Sequence, residues 1–371
     1  MKYLFILGRN VELSYTEVIE FLKKERKNFE EISRIKNGLL VFAKEKLELD
    51  TIKKLGGTIS IGEVLVQSDE KNFSRELNKI EIYSGTKKSF NYALWPFPNQ
   101  NELILNSLKK KFKEEKLRAT LKKLNKEIKT QEGKTEFIPS SKLIEEEFFS
   151  FENNGKIFFG KIIQKNDYKK IEERDLGKPV HRPSLDISIR LAKILINLSG
   201  IKQGETLYDS FCGIGTILQE ALLQKIKVIG VDNNKKAIEG AKKNLEWFNF
   251  SEEDYKLIHF DSTKVNVPEI NTLVTEPDLG ILLKKIPTKE KAEKILKKFE
   301  KLLIQVINNS KKKISGRIVF TSPYIRIGKK RMYCHIEEIL KKTGYTLLYR
   351  PFPEFRERQV IGRMIYVLEK Q

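Results

Sequence analysis

The chain of 371 residues has few of the side chains that bind metal ions or form disulfide bonds. Its two cysteines, Cys212 and Cys334, are too few for a disulfide framework or a zinc site, and its three histidines are scattered. No apolar run approaches the roughly 20 residues of a membrane helix. The first residues turn polar too soon for a signal peptide. We therefore expect a cytoplasmic protein without a metal ion and without a membrane anchor.

Acidic residues are also in the minority. The sequence has 71 Lys and Arg against 50 Asp and Glu, a net charge of +21 and a pI of about 9.6. Such a balance favours a polyanionic partner, first of all a nucleic acid. The alternative is a lysine-rich proteome in which most proteins are basic. The length predicts two or three domains, and 40% hydrophobic residues are enough to fill their cores.

Two common nucleotide-binding motifs are missing from the glycine-rich stretch 206–234. A short strand ends at Asp209, a glycine-rich turn covers 211–216, and a helix and a second strand lead to the carboxylate of Asp232. This order is typical of the first half of a nucleotide-binding α/β domain. The third glycine of G-x-G-x-x-G is replaced by Leu218, and the phosphate loop G-x-x-x-x-G-K-[ST] is absent. A dinucleotide is therefore not expected here.

Asp209 favours a cationic ligand. A carboxylate at the end of the first strand repels a pyrophosphate and attracts an ammonium group. S-adenosylmethionine has such an ammonium group, a ribose that Asp232 can bind, and no phosphate. The alternative is an ordinary strand-turn-helix unit in which each strand happens to end in an acid.

Residues 1–70 predict a first domain with the ferredoxin-like order β-α-β-β-α-β. Residues 71–165 predict a second unit with a long amphipathic helix, or helix pair, over 101–128 and a short helical segment from Ser140. Between Lys109 and Lys126 there are nine Lys or Arg and two Glu. This basic face predicts phosphate contacts, although a charge run is often only a solvated face. The residues predicted to bind RNA are Lys109, Lys110, Lys113, Lys116 and Arg118.

Residues 166–183 are polar and irregular in pattern, and we interpret them as a linker. Over 184–371, strand and helix patterns alternate, which predicts a mostly parallel sheet with right-handed crossovers. The last two strand patterns, at 346–349 and 361–368, have no helix between them. We therefore expect that pair to be antiparallel.

The segment Asp209-Ser210-Phe211-Cys212-Gly213-Ile214-Gly215-Thr216 resembles the D-P-F-C-G-T-G-T motif of class I RNA methyltransferases that modify guanosine N2 in tRNA. The N-terminal half is similar to their THUMP module and its ferredoxin-like partner, with Leu55-Gly56-Gly57-Thr58 and Ile61-Gly62-Glu63-Val64 in matching places. Glu173-Arg174-Asp175 and Arg182-Pro183 precede the motif much as in that family. The resemblance covers nearly the whole chain.

The resemblance implies a Rossmann-like class I methyltransferase domain over 184–371, preceded by a ferredoxin-like domain over 1–70 and a THUMP RNA-binding domain over 71–165. It implies S-adenosylmethionine as the methyl donor, with Asp232 on the ribose and Asp261 near the adenine amino group. It also implies RNA, most often tRNA, as the partner; a monomer is favoured. The residues predicted to contact the cofactor are Asp209, Phe211, Gly213, Gly215, Thr216, Asp232, Asn233, Asp261 and Ser262.

One motif departs from the family. Where the family has D-P-P-Y after the fourth strand, this chain has Glu276-Pro277-Asp278-Leu279. In the family motif, an acid or amide oxygen and the first proline's carbonyl accept N–H bonds from the target amine. Glu276 keeps an acceptor on a longer side chain, and Pro277 keeps the carbonyl. Leu279 lacks the ring that would stack on an extruded base, and Asp278 adds a charge beside it.

These four residues form the predicted catalytic motif of a methyltransferase that acts on an exocyclic amine of a tRNA guanosine. Two alternatives stay open. One is a methyltransferase for ribosomal RNA or for DNA adenine, since related motifs serve both. The other is a non-catalytic RNA-binding protein that retains the fold.

Overall fold

The computed structural model describes most of the chain as two compact units. The first comprises Met1–Val18, Arg26–Lys53 and Gly57–Asn166, and the second Ile19–Glu25, Lys54–Gly56 and Asp167–Gln371. The structure describes all residues except 26–27, 123, 130–134, 140–143, 183–185, 278–282, 284, 358 and 371, and only the backbone at 124–129 and 135–139. The helical segment predicted from Ser140 lies outside the described residues.

The first 166 residues alternate strands with a few helices. Their bounds are β1 Lys2–Leu7, α1 Val11–Lys24, β2 Phe29–Ile35, β3 Gly38–Ala43, α2 Thr51–Lys54, β4 Thr58–Asp69, α3 Glu70–Asn78, β5 Ser89–Phe97, α4 Glu102–Glu114, β6 Arg118–Leu121, β7 Leu124–Lys129, β8 Thr135–Pro139, β9 Glu146–Asn153 and β10 Lys156–Lys165. The apolar residues of these strands alternate with polar ones or run continuously where both faces are covered.

Eight of these strands form one sheet in the order β2-β3-β1-β4-β10-β9-β5-β6. Strand β1 is antiparallel to both β3 and β4, with Phe5 opposite Leu39 on one side and Ile61 on the other. The arrangement β2-β3-β1-β4 agrees with the ferredoxin-like prediction. Strand β4 also pairs with β10, so the boundary predicted at residue 70 falls within one unit and one sheet.

The long helix predicted over 101–128 is wrong beyond residue 114. Helix α4 ends where Lys116 adopts a left-handed φ of 55° and where Leu117 N–H donates to the carbonyl of Phe112 at 2.8 Å. Leu117, Ala119 and Leu121 then pack against the apolar core of this unit. Their spacing of two residues is the period of a strand, and β6 pairs with β5. Residues 124–129 pair with β8.

The elements from residue 167 onward are α5 Tyr168–Gly177, α6 Ile189–Leu198, β11 Thr206–Asp209, α7 Thr216–Leu222, β12 Lys227–Asp232, α8 Lys235–Trp247, β13 Tyr255–His259, β14 Thr272–Thr275, α9 Lys289–Ser310, β15 Ile318–Ile327, β16 Lys330–Met332, α10 Ile336–Thr343, β17 Tyr345–Leu347, β18 Phe352–Glu354 and β19 Ile361–Lys370. The segment 166–183, predicted as an irregular linker, therefore contains a helix. Asp167 caps this helix by accepting a hydrogen bond from the backbone N–H of Lys170.

The second unit has a sheet with the strand order β13-β12-β11-β14-β15-β19-β17, to which β16 and β18 are added at β15 and β19. Strands β13, β12, β11, β14 and β15 are parallel, and β19 is antiparallel to both β15 and β17. The Rossmann-like prediction and the antiparallel last pair are both confirmed. In the core, Tyr208 and Phe320 from the strands pack with Leu303 of α9. Because the first five strands are parallel, their carboxyl ends share one edge.

Candidate active site

The glycine-rich loop after β11 is built on two left-handed residues. Gly213 has φ +52° and Gly215 has φ +87°, a region that disfavours any residue with a Cβ. The loop closes on itself where Gly215 N–H donates to the Cys212 carbonyl at 2.8 Å, and α7 begins at the next residue. Cys212 N–H donates to the carbonyl of Val231 at 2.9 Å, which ties the loop to β12. At Gly213 the space that a Cβ would occupy is open, with Nη1 of Arg182 at 4.0 Å, so a ligand can approach the loop backbone there.

Asp232, the last residue of β12, joins the two sides of this loop. Its Oδ2 accepts from Gly213 N–H at 3.0 Å and its Oδ1 from Asn234 N–H at 2.8 Å. A carboxylate has about four acceptor positions, so each oxygen keeps one for a hydroxyl group. The neighbouring Asn233 is exposed, and its carbonyl lies 3.1 Å from Nε2 of His259. Asp232 thus both orders the loop and faces the space beside it.

Asp209 is a buried carboxyl group, 1% exposed. Its Oδ1 accepts from the hydroxyl of Thr275 at 2.6 Å and from Phe211 N–H at 3.1 Å. Burial raises the pKa of Asp209 to about 7; the two hydrogen bonds lower it, and the charges of Asp232 and Glu276 raise it further. No lysine, arginine or histidine of the described residues forms an ion pair with it. An anion placed in this way gains most from a cationic ligand.

Thr216 supplies the first residue of α7, and its buried hydroxyl has no hydrogen-bond partner among the described residues. A buried polar group of this kind normally finds a partner, which here can come from a ligand. Phe211, on the other side of the loop, packs against the apolar core of the unit. The loop therefore offers backbone, one hydroxyl and two carboxyl groups to whatever binds it.

Asp261 and Ser262 follow β13 and differ in exposure. Asp261 is exposed and accepts from the backbone N–H and the hydroxyl of Thr263 at 2.9 and 2.7 Å. These hydrogen bonds hold the pKa of Asp261 below its ordinary value. Ser262 is buried, and its hydroxyl donates to the carbonyl of Ser210. Its side chain therefore serves to hold this turn against the loop after β11.

Glu276 lies directly after β14 and forms an ion pair with Arg363. Arg363 of β19 donates from Nε to Oε2 at 2.6 Å and from Nη2 to Oε1 at 2.7 Å. The Thr321 hydroxyl of β15 donates to Oε2 at 2.9 Å. Burial opposes the charge of Arg363, but its bonds to Glu276 and the charge of that acid leave its pKa raised. The carboxylate is therefore held across β15 by a two-point fork.

The structure brings Asp209, Asp232 and Glu276 to the carboxyl ends of three adjacent strands, β11, β12 and β14. The charges of Asp232 and Glu276 each raise the pKa of Asp209. Pro277 follows Glu276 and is buried. Asp278 and Leu279, predicted with them as catalytic residues, lie outside the described residues, as does Pro183.

The residues predicted to bind RNA lie in the first unit. Lys109, Lys110 and Lys113 are exposed on α4. Lys116 lies in the turn that ends this helix, and Arg118 is an exposed residue of β6. The basic face therefore comes from one helix, a turn and a strand rather than from a single long helix. Lys110 has an acid near it, with its Nζ 3.9 Å from Glu114.

Three functional candidates were missed in the sequence: Thr275, Thr321 and Arg363. Thr275 and Thr321 are polar residues within apolar strands, and such residues are too common to attract notice. Arg363 gave a clearer signal, since it is a charged residue near the start of the otherwise apolar run 364–368. Its partner lies 87 residues away in the sequence, and no local pattern links the two.

Neither a metal site nor a membrane helix is found in the described part of the chain. No group of three or more His, Cys, Asp or Glu side chains is placed to hold a metal ion. No described helix has the length and apolar character needed to cross a bilayer.

Two family models match the chain. One, described as an RMKL-like methyltransferase domain, matches 182–322. The other, described as DNA methylase, matches 13–243, which is more than half of the chain. Both matches include the glycine-rich loop, Asp209 and Asp232.

Curated relatives match a shorter part of the chain. The tRNA (guanine(10)-N2)-dimethyltransferase of Methanothermobacter thermautotrophicus is 33% identical over 139 residues, which is 37% of this chain and 39% of that protein. The protein of the same description from Methanocaldococcus jannaschii is 30% identical over 141 residues, 36% of this chain and 37% of that protein. The chain thus spans about two fifths of the length of these relatives. The crystal structure of TrmN from Thermus thermophilus aligns with a TM-score of 0.54 at 13% identity, over 100% of both chains, and supports the fold alone.

Proposed function

The chain belongs to the methyltransferases, through the family whose model spans 13–243, and on that premise we propose that it methylates an exocyclic amine of a guanosine in tRNA. The amine we propose is N2. The observation that carries the proposal is the buried carboxyl of Asp209, which forms no ion pair with the described residues, beside a glycine-rich loop whose Gly213 N–H donates to Asp232.

S-adenosylmethionine, the methyl donor of this class of enzyme, supplies an activated methyl group on a sulfonium when bound. The residues present fit it. Asp209 can bind its ammonium group, Asp232 has acceptor positions for ribose hydroxyls, and the Thr216 hydroxyl lacks a partner among the described residues. Asp261, exposed and ionised, can accept from the adenine amino group. The other proposed contacts are Phe211, Gly213, Gly215, Asn233 and Ser262.

Glu276 and Pro277 are the proposed acceptors for the target amine. On Glu276, Oε2 already accepts from Thr321 and from Arg363 Nε, whereas among the described residues Oε1 accepts only from Arg363 Nη2. Oε1 therefore keeps one acceptor position. An exocyclic amine has two N–H groups, and the second can bond to the Pro277 carbonyl. Such contacts turn the nitrogen lone pair out of conjugation, so that these residues act mainly by orientation.

Charge supports a nucleic-acid substrate. The net charge of +21 and the exposed lysines of α4 provide sequence-independent attraction to phosphates. The names of the curated relatives narrow the proposal to tRNA and to guanine N2. We propose that Lys109, Lys110, Lys113, Lys116 and Arg118 contact the RNA backbone.

Methyl transfer from labelled S-adenosylmethionine tests this function. The enzyme would be incubated with unmodified tRNA transcripts, with ribosomal RNA and with double-stranded DNA, and the products digested to nucleosides. We expect label in N2-methylated guanosine of tRNA only. Label in no nucleic acid, despite measurable cofactor binding, would leave a non-catalytic RNA-binding protein.

A DNA adenine methyltransferase is the second candidate, because the family model that covers most of the chain is described as DNA methylase. An exocyclic adenine amine presents the same two N–H groups to Glu276 and Pro277. The DNA arm of the experiment decides between them, since methyladenosine there, without methylguanosine in tRNA, would replace our proposal.

A further inference from the structure

Arg363 connects the proposed acceptor to a strand outside the parallel part of the sheet. In β19 it lies opposite Pro323 of β15, two residues along from Thr321. Glu276 follows β14, so its side chain reaches over β15 to meet Arg363 on the far neighbour. Both side chains are largely buried, at 9% exposure for Glu276 and 19% for Arg363. The pair is therefore a largely buried ion pair and not a solvent-exposed one.

The direction of the fork decides which oxygen stays available. Arg363 Nε and Thr321 fill both acceptor positions of Oε2, and Arg363 Nη2 fills one of the two on Oε1. The described residues therefore leave a single acceptor position, on Oε1, for a ligand.

The extra methylene of Glu276 explains why its carboxylate needs to be held in place. A glutamate has one more rotatable bond than an aspartate, so an unheld Glu276 loses more conformational entropy when it binds an amine. The planar guanidinium removes that freedom before the substrate arrives, because two parallel N–H groups fix both position and plane. A lysine, as a point charge, would fix only the position.

We propose that Arg363, together with Thr321, is a positioning residue that turns Glu276 so that Oε1 alone accepts from the target amine. This inference rests on the proposed function. It assigns Arg363 no contact with RNA or cofactor; its effect passes through Glu276. The arginine thus compensates for the glutamate that replaces the shorter acid of the family motif.

The test compares Arg363→Gln and Arg363→Lys with the wild type on an unmodified tRNA transcript. Because a small misplacement of a reacting group can cost on the order of 10²-fold in rate, we expect Arg363→Gln to lower kcat by about that factor. The KM for tRNA and the Kd for S-adenosylmethionine should not change. Arg363→Lys keeps the charge without the fork and should recover only part of kcat.

Arg174→Gln is the matched control. Arg174 also pairs with a buried glutamate, its Nη2 lying 2.5 Å from Oε1 of Glu220, but these two residues belong to the helices α5 and α7 and not to the strands that carry Thr321 and Arg363. It should lower stability and leave kcat unchanged. If Arg363→Gln lowers kcat no more than this control, the positioning role is overturned. A higher KM for tRNA with an unchanged kcat would also overturn it, by making Arg363 an RNA contact.

A double-mutant cycle supplies a readout that needs no turnover. Glu276→Gln and Arg363→Gln each leave one buried partner unmatched, whereas the double variant leaves no unpaired charge. The double variant should therefore unfold at a higher urea concentration than either single variant, while its kcat stays low. Additive losses of stability would overturn the inference even in an active enzyme. A wild type that methylates none of the RNAs would remove the proposed function and the positioning role, while the cycle still measured the ion pair.

Discussion

Two acids at the same edge of the sheet have opposite surroundings. Asp209 is buried among hydrogen-bond donors without a cation among the described residues, and burial raises its pKa to about 7. Glu276, on the neighbouring strand, is held by the guanidinium of Arg363 and the hydroxyl of Thr321. Asp209 can therefore pair with a cationic group of a ligand. Glu276 already has its countercharge, and the described residues leave it one acceptor position.

The difference explains how one edge can serve two tasks. Burying an ionised carboxylate without a countercharge is unfavourable. A cationic ligand relieves this penalty when it binds, and the relief adds to the affinity for the ligand. A carboxylate with its own arginine costs nothing further and stays in one orientation, which suits a group that must aim a substrate. We therefore assign binding to the Asp209 side and orientation to the Glu276 side.

The largest effect is expected from Glu276→Ala. It removes the acceptor and leaves Arg363 as an unpaired buried charge, so kcat should fall by roughly 10²-fold or more and stability should fall as well. The affinity for S-adenosylmethionine, measured by calorimetry on the folded variant, should stay as in the wild type. Glu276→Gln keeps one acceptor oxygen and should lose less turnover. Full turnover by the alanine variant would show that Glu276 does not orient the amine.

Asp232→Ala tests the binding side. Asp232 is expected to accept two ribose hydroxyl bonds, each worth about 1.5–3 kcal/mol as a charge-assisted contact. The variant should bind S-adenosylmethionine at least roughly tenfold more weakly. Because Asp232 also orders the loop through Gly213, circular dichroism should establish that the variant is folded. An unchanged Kd would remove the ribose assignment.

Asp209→Asn should stabilise the unliganded protein at alkaline pH. With a folded pKa of about 7 against an ordinary value of 3.8, Asp209 keeps its proton in the folded state across this range and loses it in the unfolded state. Wild-type stability therefore falls as pH rises from about 4 to about 7, through this group alone, and the loss persists above pH 7. The asparagine variant lacks this loss. Its Tm at pH 8 should exceed that of the wild type by on the order of 5 °C, and the difference should vanish near pH 4.

The smallest effect should come from the first unit, which lies outside the comparison of the two acids. Reversing Lys109, Lys110, Lys113 and Lys116 to Glu should weaken RNA binding and flatten the slope of log K against log salt concentration. Cofactor affinity should not change, since these lysines belong to another unit than Asp209. An unchanged slope would leave this basic face as a solvated surface and place the RNA elsewhere.

The residues around Asp209 can be predicted from the sequence, whereas Arg363 and Thr321, which hold Glu276, cannot, for a physical reason. Asp209, the glycines and Asp232 lie within 24 residues of each other, and one strand, one turn and one helix suffice to place them. Arg363 reaches Glu276 only because β19 inserts beside β15 as an antiparallel strand, a contact across 87 residues. The prediction of one helix over 101–128 was wrong for a related reason. Leu117 and Leu121 are four residues apart, which suits a helix, but together with Ala119 they also have the two-residue spacing of a strand. Pairing of β6 with β5 decides for the strand.

Proton release on cofactor binding tests the central claim most directly, namely that Asp209 is kept for a cationic ligand. Calorimetric titrations of S-adenosylmethionine at pH 6, in buffers with different ionisation enthalpies, would count the protons released. At that pH most Asp209 carboxyl groups of the unliganded protein carry a proton, which the ammonium group of the ligand should displace. We predict the release of nearly one proton by the wild type and of none by Asp209→Asn. Equal proton release by both proteins, or none by either, would contradict the account.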